Sequence, residues 1–410
     1  MSSTDPQGLQ VLPDELASRE AWLEPFDWYR EMRADAPVRY DPARRTWDVF
    51  RYEDVKRILA DDDTFSVNPR LADEFQEPDR PEEGLLFETM LFQDSPRHDE
   101  LRGVVNDAFE PRALRELEPE IRDFATDLLS EAVTGEDGTM DLVETFAYPL
   151  PVVVIAELLG VPAEDRDRFK RWSNTLVEAA STDEDTKEFT ERQQAAQMEM
   201  ASYFFEMIKD RRETPRDDLM TQLVTRERAD GSRLSEEEAL GTSILLLVAG
   251  NITTTNLITN AVRCFSNHDL FEELRGDADL QTAIEEVLRY RSPVQAMTRV
   301  ATEDVTMQDE TIEAGDRIIV WLGSANRDER QFDDPGTFVP DRTPNQHLGF
   351  GYGTHYCLGA PLARLEAAVA FEELLERTAT IELVDTELQP TRSSLIYGVE
   401  SLPVTYETAE

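Results

Sequence analysis

Residues 349 to 361 read Gly-Phe-Gly-Tyr-Gly-Thr-His-Tyr-Cys-Leu-Gly-Ala-Pro, four glycines around one cysteine directly before a helix start. Glycines let backbone approach a neighbouring group closely. Free N–H groups in such a loop, with the dipole of the following helix, would stabilise a thiolate at Cys357. The segment therefore reads as a loop that presents one sulfur anion. Zinc held by His347, His355 and Cys357 is the competing use of these residues, weakened because the chain has no CxxC pair and no second ligand cluster. The other cysteine, Cys264, lies in an apolar helical pattern and reads as a core thiol.

A second segment with chemical potential is Val248-Ala-Gly-Asn-Ile-Thr-Thr-Thr-Asn256, which puts three hydroxyls and two amides in the middle of a strongly apolar helix. Threonine hydroxyls compete for the helix's own carbonyls, so the helix is expected to loosen at Gly250 and to open a space beside it. The alternative is plain tolerance, since threonine costs a helix only tenths of a kcal/mol relative to alanine. A third pattern, Glu286-Val-Leu-Arg289, sets an acid and a base three apart on one helix face, close enough to pair.

The elements that must hold these segments follow from periodicity. Pro25 to Ala34 reads as helix, Val38 to Tyr40 and Trp47 to Arg51 as paired strands, and Tyr52 to Ala60 as helix. The Pro-, Asp- and Glu-rich stretch from about Ser66 to Gln93 reads as a functional loop or lid. Pro96 to Arg228 is nearly all helical, with breaks at Gly135 to Gly138, Gly160 to Pro162 and Pro215. Ser235-Glu-Glu-Glu238 is a capping box that opens a helix running to about Ser266, roughly 48 Å at 1.5 Å per residue. A helix from Ala278 to Tyr290 follows. Strand-like pieces from Arg299 to Val320 and Ile381 to Tyr406 flank a last helix, Gly359 to Arg377. The class is mainly α with a smaller β-rich region, an α+β arrangement.

Composition narrows the setting. Among 410 residues, 86 are Asp or Glu and 41 are Lys or Arg, for a net charge of −45. Lysine occurs only at positions 56, 170, 187 and 209. Such a surface repels itself unless concentrated salt screens it, which points to a salt-rich cytoplasm and argues against nucleic acid as a partner. Two cysteines fit a reducing compartment. The start of the chain lacks an apolar signal region, and no apolar run approaches the ~20 residues of a membrane span, so a cytoplasmic protein off the membrane is expected.

Phe350, Gly353, Cys357 and Gly359 stand at a spacing that resembles the haem-binding loop of the cytochrome P-450 superfamily. Glu286 and Arg289 match that family's ExxR motif, and Phe338-Val-Pro-Asp-Arg342 matches the segment that supplies a second arginine. The resemblance runs from about Pro25 to Pro403. It implies one domain over residues 1–410, with an N-terminal extension of about 24 residues, folded as a triangular helical prism. Haem b would lie between the long central helix and the cysteine-loop helix.

The resemblance also assigns roles. Cys357 becomes the axial thiolate, and Glu286, Arg289 and Arg342 a buried triad that holds its loop. His98, Arg102, Arg299 and His355 become propionate contacts, with Phe350, Gly351, Gly359 and Ala249 also against the cofactor. Gly250, Asn251, Ile252 and Thr253 become the oxygen-activating segment, with Thr253 as the distal alcohol. Ile252 departs from the family, which places an acid there. Water anchored by Asn251 and Asn256 is one substitute; a substrate hydroxyl is another. The implied substrate walls are Leu85, Leu86 and Phe87, then Leu245 and Val248, then Val294, Ala296 and Met297, and finally Leu395 and Ile396, apolar throughout.

The activity so implied is a haem-thiolate monooxygenase using O2, a small apolar organic substrate, and electrons from a ferredoxin and its NAD(P)H-dependent reductase. Arg97, Arg112 and Arg115 are candidate contacts for that donor, and a monomer is expected. The alternatives are a peroxide-dependent oxygenase of the same fold and a non-catalytic haem-based sensor.

Overall fold

The computed structural model describes residues 12–73, 85–177, 186–228, 231–276, 278–391, 393 and 395–409. Among the described residues helices dominate, and ten strands make the smaller β part: β1 (Val38–Asp41), β2 (Thr46–Val49), β3 (Phe65–Ser66), β4 (Asp137–Asp141), β5 (Ala296–Ala301), β6 (Val305–Met307), β7 (Glu310–Ile312), β8 (Arg317–Trp321), β9 (Thr378–Leu383) and β10 (Pro403–Thr408). The chain divides into two compact units: Met1–Glu82 with Asn256–Ala360 and Thr378–Glu410, and Glu83–Thr255 with Pro361–Arg377.

The first unit is built on a five-stranded sheet in the order β1-β2-β8-β5-β3. The β1–β2 hairpin expected from the sequence is present, with Val38 opposite Val49. Along β8 the side chains alternate between two cores, as period-2 geometry requires. Ile318 and Val320 join the helix Tyr52–Ala60 through Val55, Ile58 and Leu59. Ile319 and Trp321 join Tyr29, Phe50, Trp22 and Leu16. The stretch expected as an N-terminal extension therefore contributes to this core, with Leu12 and Ala21 also packed against it. β9 and β10 pair antiparallel.

The second unit is helical, as the pattern from Pro96 to Arg228 predicts, with one correction. Asp137–Asp141 is a strand where only a Gly-marked break is expected, and Val143–Ala147 winds as a π-helix turn. The break at Gly160 is real: its φ is 80°, and a Cβ there would lie 2.3 Å from Asp218 Oδ2. Asp218 in turn accepts Thr221 N–H as the cap of Leu219–Thr225 and pairs with Arg211 at 2.5 Å. Of the lid stretch, the structure describes short 3-10 turns at Pro69–Leu71, Leu85–Glu88 and Met90–Phe92, while 74–84 lie outside the described residues.

The long helix spans Glu236–Asn267. Its capping box closes both ways, with Glu238 N–H on Ser235 Oγ at 3.1 Å and Ser235 N–H on Glu238 Oε2 at 2.7 Å. Among the described residues it is the one helix long and apolar enough to cross a membrane, and 67% of its most apolar window is buried inside the fold. After a short helix at Phe271–Arg275, the helix expected from Ala278 starts at Leu280, because Asp279 accepts the N–H groups of Gln281 and Thr282 as its cap.

Candidate active site

The cysteine loop is built by its own backbone. Gly351 N–H closes a turn on Leu348 O at 2.9 Å, and Cys357 N–H donates to Phe350 O at 3.0 Å. Gly351 and Gly353 have φ of 75° and 74°, the left-handed region that only glycine enters freely. At Gly353 a Cβ would also meet Leu59 O at 2.5 Å, which lets the loop lie against the end of the helix Tyr52–Ala60. A Cβ at Gly359 would lie 4.0 Å from Cys357 Sγ. Phe350 is buried and packs edge-on against Tyr356.

The two cysteines differ as the sequence predicts. Neither is in a disulfide: Cys357 is half-buried, whereas Cys264 is fully buried and burial pushes its thiol up to about 11. Desolvation penalises a thiolate, so Cys264 stays neutral and inert. The zinc alternative fails. Among the described residues no group of three or more His, Cys, Asp or Glu is placed to hold a metal ion, and His347 is engaged between Glu285 Oε2 at 2.9 Å and Gly349 N–H at 3.1 Å.

Glu286, Arg289 and Arg342 meet as a buried triad. Arg289 Nε and Nη2 donate to Glu286 at 2.8 and 2.7 Å, and Arg342 Nε lies 3.1 Å from both carboxylate oxygens. Both members of the ExxR pair have 0% exposed side chains, so this is no surface pair worth tenths of a kcal/mol. Removing one partner would strand a buried charge, at a cost of about 3–5 kcal/mol. Two further donors to Glu286 escape sequence reading: Val339 N–H at 2.9 Å and Asn345 Nδ2 at 3.2 Å. Neither has a local signature, since each comes from a loop more than fifty residues away.

In the second unit the long helix is buried on both sides of a short open strip. Ala249 is exposed and Val248, Gly250, Ile252 and Thr253 are partly so, while Leu245 to Leu247 and the residues from Thr254 to Phe265 are buried. A Cβ at Gly250 would meet nothing within 4 Å. The loosening expected there takes a milder form: the helical run is unbroken, and Thr253 Oγ1 donates to Ala249 O at 2.8 Å. Asn251 and Asn256 need a larger correction. Asn251 is fully buried and accepts Thr255 Oγ1 at 3.3 Å. Asn256 is buried, accepts Thr391 Oγ1 at 3.4 Å and lies against Gly398. Both amides are buried, in contrast to the partly exposed positions of the strip.

The cations expected to meet the propionates are set on rigid elements. His98 is buried and Arg102 partly exposed one turn further along the helix Arg97–Val105. That helix is tied to the start of the long helix by Arg97, which pairs with Glu238, the capping-box acid, while Arg228 pairs with the same carboxylate at 2.7 Å. Arg97 is thus engaged in ion pairs, with 34% of its side chain still exposed. Arg112 and Arg115 remain exposed on the first turns of Pro111–Ala132. In the first unit Arg299 is buried on β5, opposite Ile318, and His355 is half-buried in the cysteine loop.

Of the apolar candidates, Val294 and Ile396 are brought together by an isolated bridge, and Gln295 N–H donates to Leu395 O at 2.8 Å. Val294, Met297, Leu395 and Ile396 keep partial exposure. Ala296 does not: it is 1% exposed and belongs to the core with Trp321. Leu245 is likewise buried. Phe87 stacks on Phe92 with ring centres 5.0 Å apart, and the side chains of Leu85 and Leu86 lie outside the described residues.

A half-buried thiol on a glycine loop, a buried acid–arginine triad and an open strip on a long helix fit a protein that carries haem on a cysteine thiolate. The comparisons agree with that class. The Cytochrome P450 family profile matches residues 26–277 and 280–400, and the chain belongs to this family. It is 43% identical over 397 residues to Cytochrome P450 109 of Bacillus spizizenii, covering 95% of this chain and 94% of that one. Substrate-free CYP109E1 from Bacillus megaterium superposes with a TM-score of 0.89 at 41% identity, covering 94% of this chain and 100% of that one. The corticosterone complex of the same protein gives 0.84 at 41% identity, covering 94% and 99%. The family uses haem with a cysteine thiolate as axial ligand, and its members are monooxygenases.

Proposed function

We propose that Cys357 is the axial thiolate and that the enzyme inserts one atom of O2 into a C–H or C=C bond of an apolar organic molecule, with the other atom leaving as water. The observation that carries this reading is the contrast between the two thiols, since only Cys357 stands half-exposed on a loop whose backbone is shaped around it. Haem bound through a thiolate supplies oxygen activation, because the sulfur pushes electron density toward iron. The chain's own residues do the rest. His98, Arg102, Arg299 and His355 supply the positive charge that two propionates require in so acidic a protein. Thr253 offers a hydroxyl on the open strip; to donate outward it must release Ala249 O, a loss of about 1 kcal/mol. Val248 and Ala249 on that strip, with Val294, Met297, Leu395 and Ile396, supply apolar contacts.

A steroid-sized apolar substrate is favoured, because the CYP109E1 relative binds corticosterone. Electrons come from a separate ferredoxin and its NAD(P)H-dependent reductase, with Arg112 and Arg115 as exposed contacts. A single catalytic domain, monomeric and cytoplasmic in a salt-rich cell, completes the reading; the net charge of −45 supports its last part. Ile252 favours a second reading, turnover with hydrogen peroxide. Titration with corticosterone and with a fatty acid, followed by product analysis with reduced ferredoxin or with peroxide, separates the two. The reading also requires that Cys357→Ser lose the red-shifted carbon monoxide band while Cys264→Ser keeps it. A Cys357→Ser protein that retained the band would overturn the assignment.

A further inference from the structure

The resemblance gives the triad the task of holding the cysteine loop, yet among the described residues none of its three side chains hydrogen-bonds to loop residues 348–360. The link is made by a fourth residue. Asn326 follows the short helix Leu322–Ala325 and is fully buried. Its carbonyl accepts Arg289 Nη1 at 3.0 Å, its Oδ1 accepts Leu348 N–H at 2.7 Å, and its Nδ2 donates to Ser292 Oγ at 2.8 Å. Ser292, two residues beyond the ExxR helix, donates its own hydroxyl to Leu288 O. The amide orientation is forced, because Leu348 N–H can only donate and so must face the amide oxygen.

Leu348 is where the loop begins to be shaped. Its side chain is core, its carbonyl accepts Gly351 N–H, and Phe350 inside that turn supplies the carbonyl for Cys357 N–H. Gly349 lies against the same frame, its Cβ position 2.8 Å from Leu288 O and 3.3 Å from Ser292 Oγ. We infer that Asn326 is a positioning residue for the thiolate: one neutral amide transmits the rigidity of the Glu286–Arg289–Arg342 triad to the first amide of the cysteine loop. A carbonyl alone would leave Ser292 without its donor, and an apolar side chain would leave Leu348 N–H buried with no acceptor. An amide satisfies both.

This inference rests on Cys357 being the axial ligand, which the loss of the carbon monoxide band in Cys357→Ser checks independently. With that established, haem-loaded Asn326→Leu, Asn326→Asp and Asp218→Ala proteins are compared. Asp218→Ala removes a cap and an ion pair in the other unit and serves as the control for general destabilisation. The thiolate-type carbon monoxide band of Asn326→Leu is expected to decay about tenfold faster than that of Asp218→Ala, at temperatures set equally far below each variant's melting point. Asn326→Asp keeps an acceptor for Leu348 N–H and is expected to recover most of the lifetime. Hydrogen exchange at the Leu348 amide should accelerate in Asn326→Leu and not in Asp218→Ala. Equal decay in Asn326→Leu and Asp218→Ala, or unchanged exchange at Leu348, would overturn the inference while leaving the ligand assignment intact.

Discussion

Ile252 stands partly exposed on the open strip of the long helix, beside Gly250 and Thr253, and carries nothing that can titrate. The neighbouring amides Asn251 and Asn256 are buried and accept the hydroxyls of Thr255 and Thr391. On the proposed reading, proton supply to the strip falls to Thr253, to water and to any hydroxyl the substrate brings. A general acid placed within reach is worth far more than this in ordinary enzymes. Ile252→Glu is accordingly expected to raise product formed per NAD(P)H consumed by roughly severalfold. Coupling and rate both unchanged from wild type would mean that position 252 does not limit protonation.

At the scale of elements, the helix Ala360–Arg377 that follows the cysteine carries a buried acid at Glu366. Burial alone pushes its carboxyl from the ordinary 4.5 up to about 8, and its Oε2 has no hydrogen-bond partner. Because the folded-state value is raised, the native protein holds a proton that the unfolded chain releases above about pH 4.5. Its contribution is thus fully favourable below that pH and is lost as pH rises through about 8. Glu366→Gln should match wild type near pH 5 and exceed it by on the order of a few kcal/mol above pH 8, by denaturant unfolding at the two pH values. Parallel pH profiles for the two proteins would contradict this. The same helix is held from its outer side by Arg122, which reaches Glu372 at 2.6 Å and Glu373 at 3.2 Å, with Thr126 on Glu373 at 2.9 Å.

For the whole molecule, charge is the governing quantity. A net charge of −45 gives repulsion that reaches across many residues at low salt, where the Debye length is about 10 Å, and is cut short at 1 M, where it is about 3 Å. The melting temperature should climb by several degrees or more between 0.1 and 1 M KCl, with most of the gain coming before hydrophobic salting-out takes over. A flat or falling melting temperature over that range would remove the salt-rich setting from the proposal. Internal ion pairs such as Arg211–Asp218, with both side chains buried, are screened less and should change little.

The parts legible from sequence are those whose signal is local. The capping box at Ser235 and Glu238, the hairpin of β1 and β2, the pairing of Glu286 with Arg289 and the glycine spacing around Cys357 each occupy a few consecutive residues, where periodicity and backbone sterics decide the outcome. Tertiary structure alone decided what those residues meet. Arg97 looked like a docking cation and became a tie to Glu238; Asn251 looked like a water anchor and became core; Ala296 looked like a pocket wall and packs on Trp321. Asn326 and Asn345 gave no sign at all, because their partners Leu348 and Glu286 are reached only through the path of the folded chain. A buried amide is chosen by which donors and acceptors converge on it, and that convergence is a property of packing in three dimensions, which no local pattern encodes.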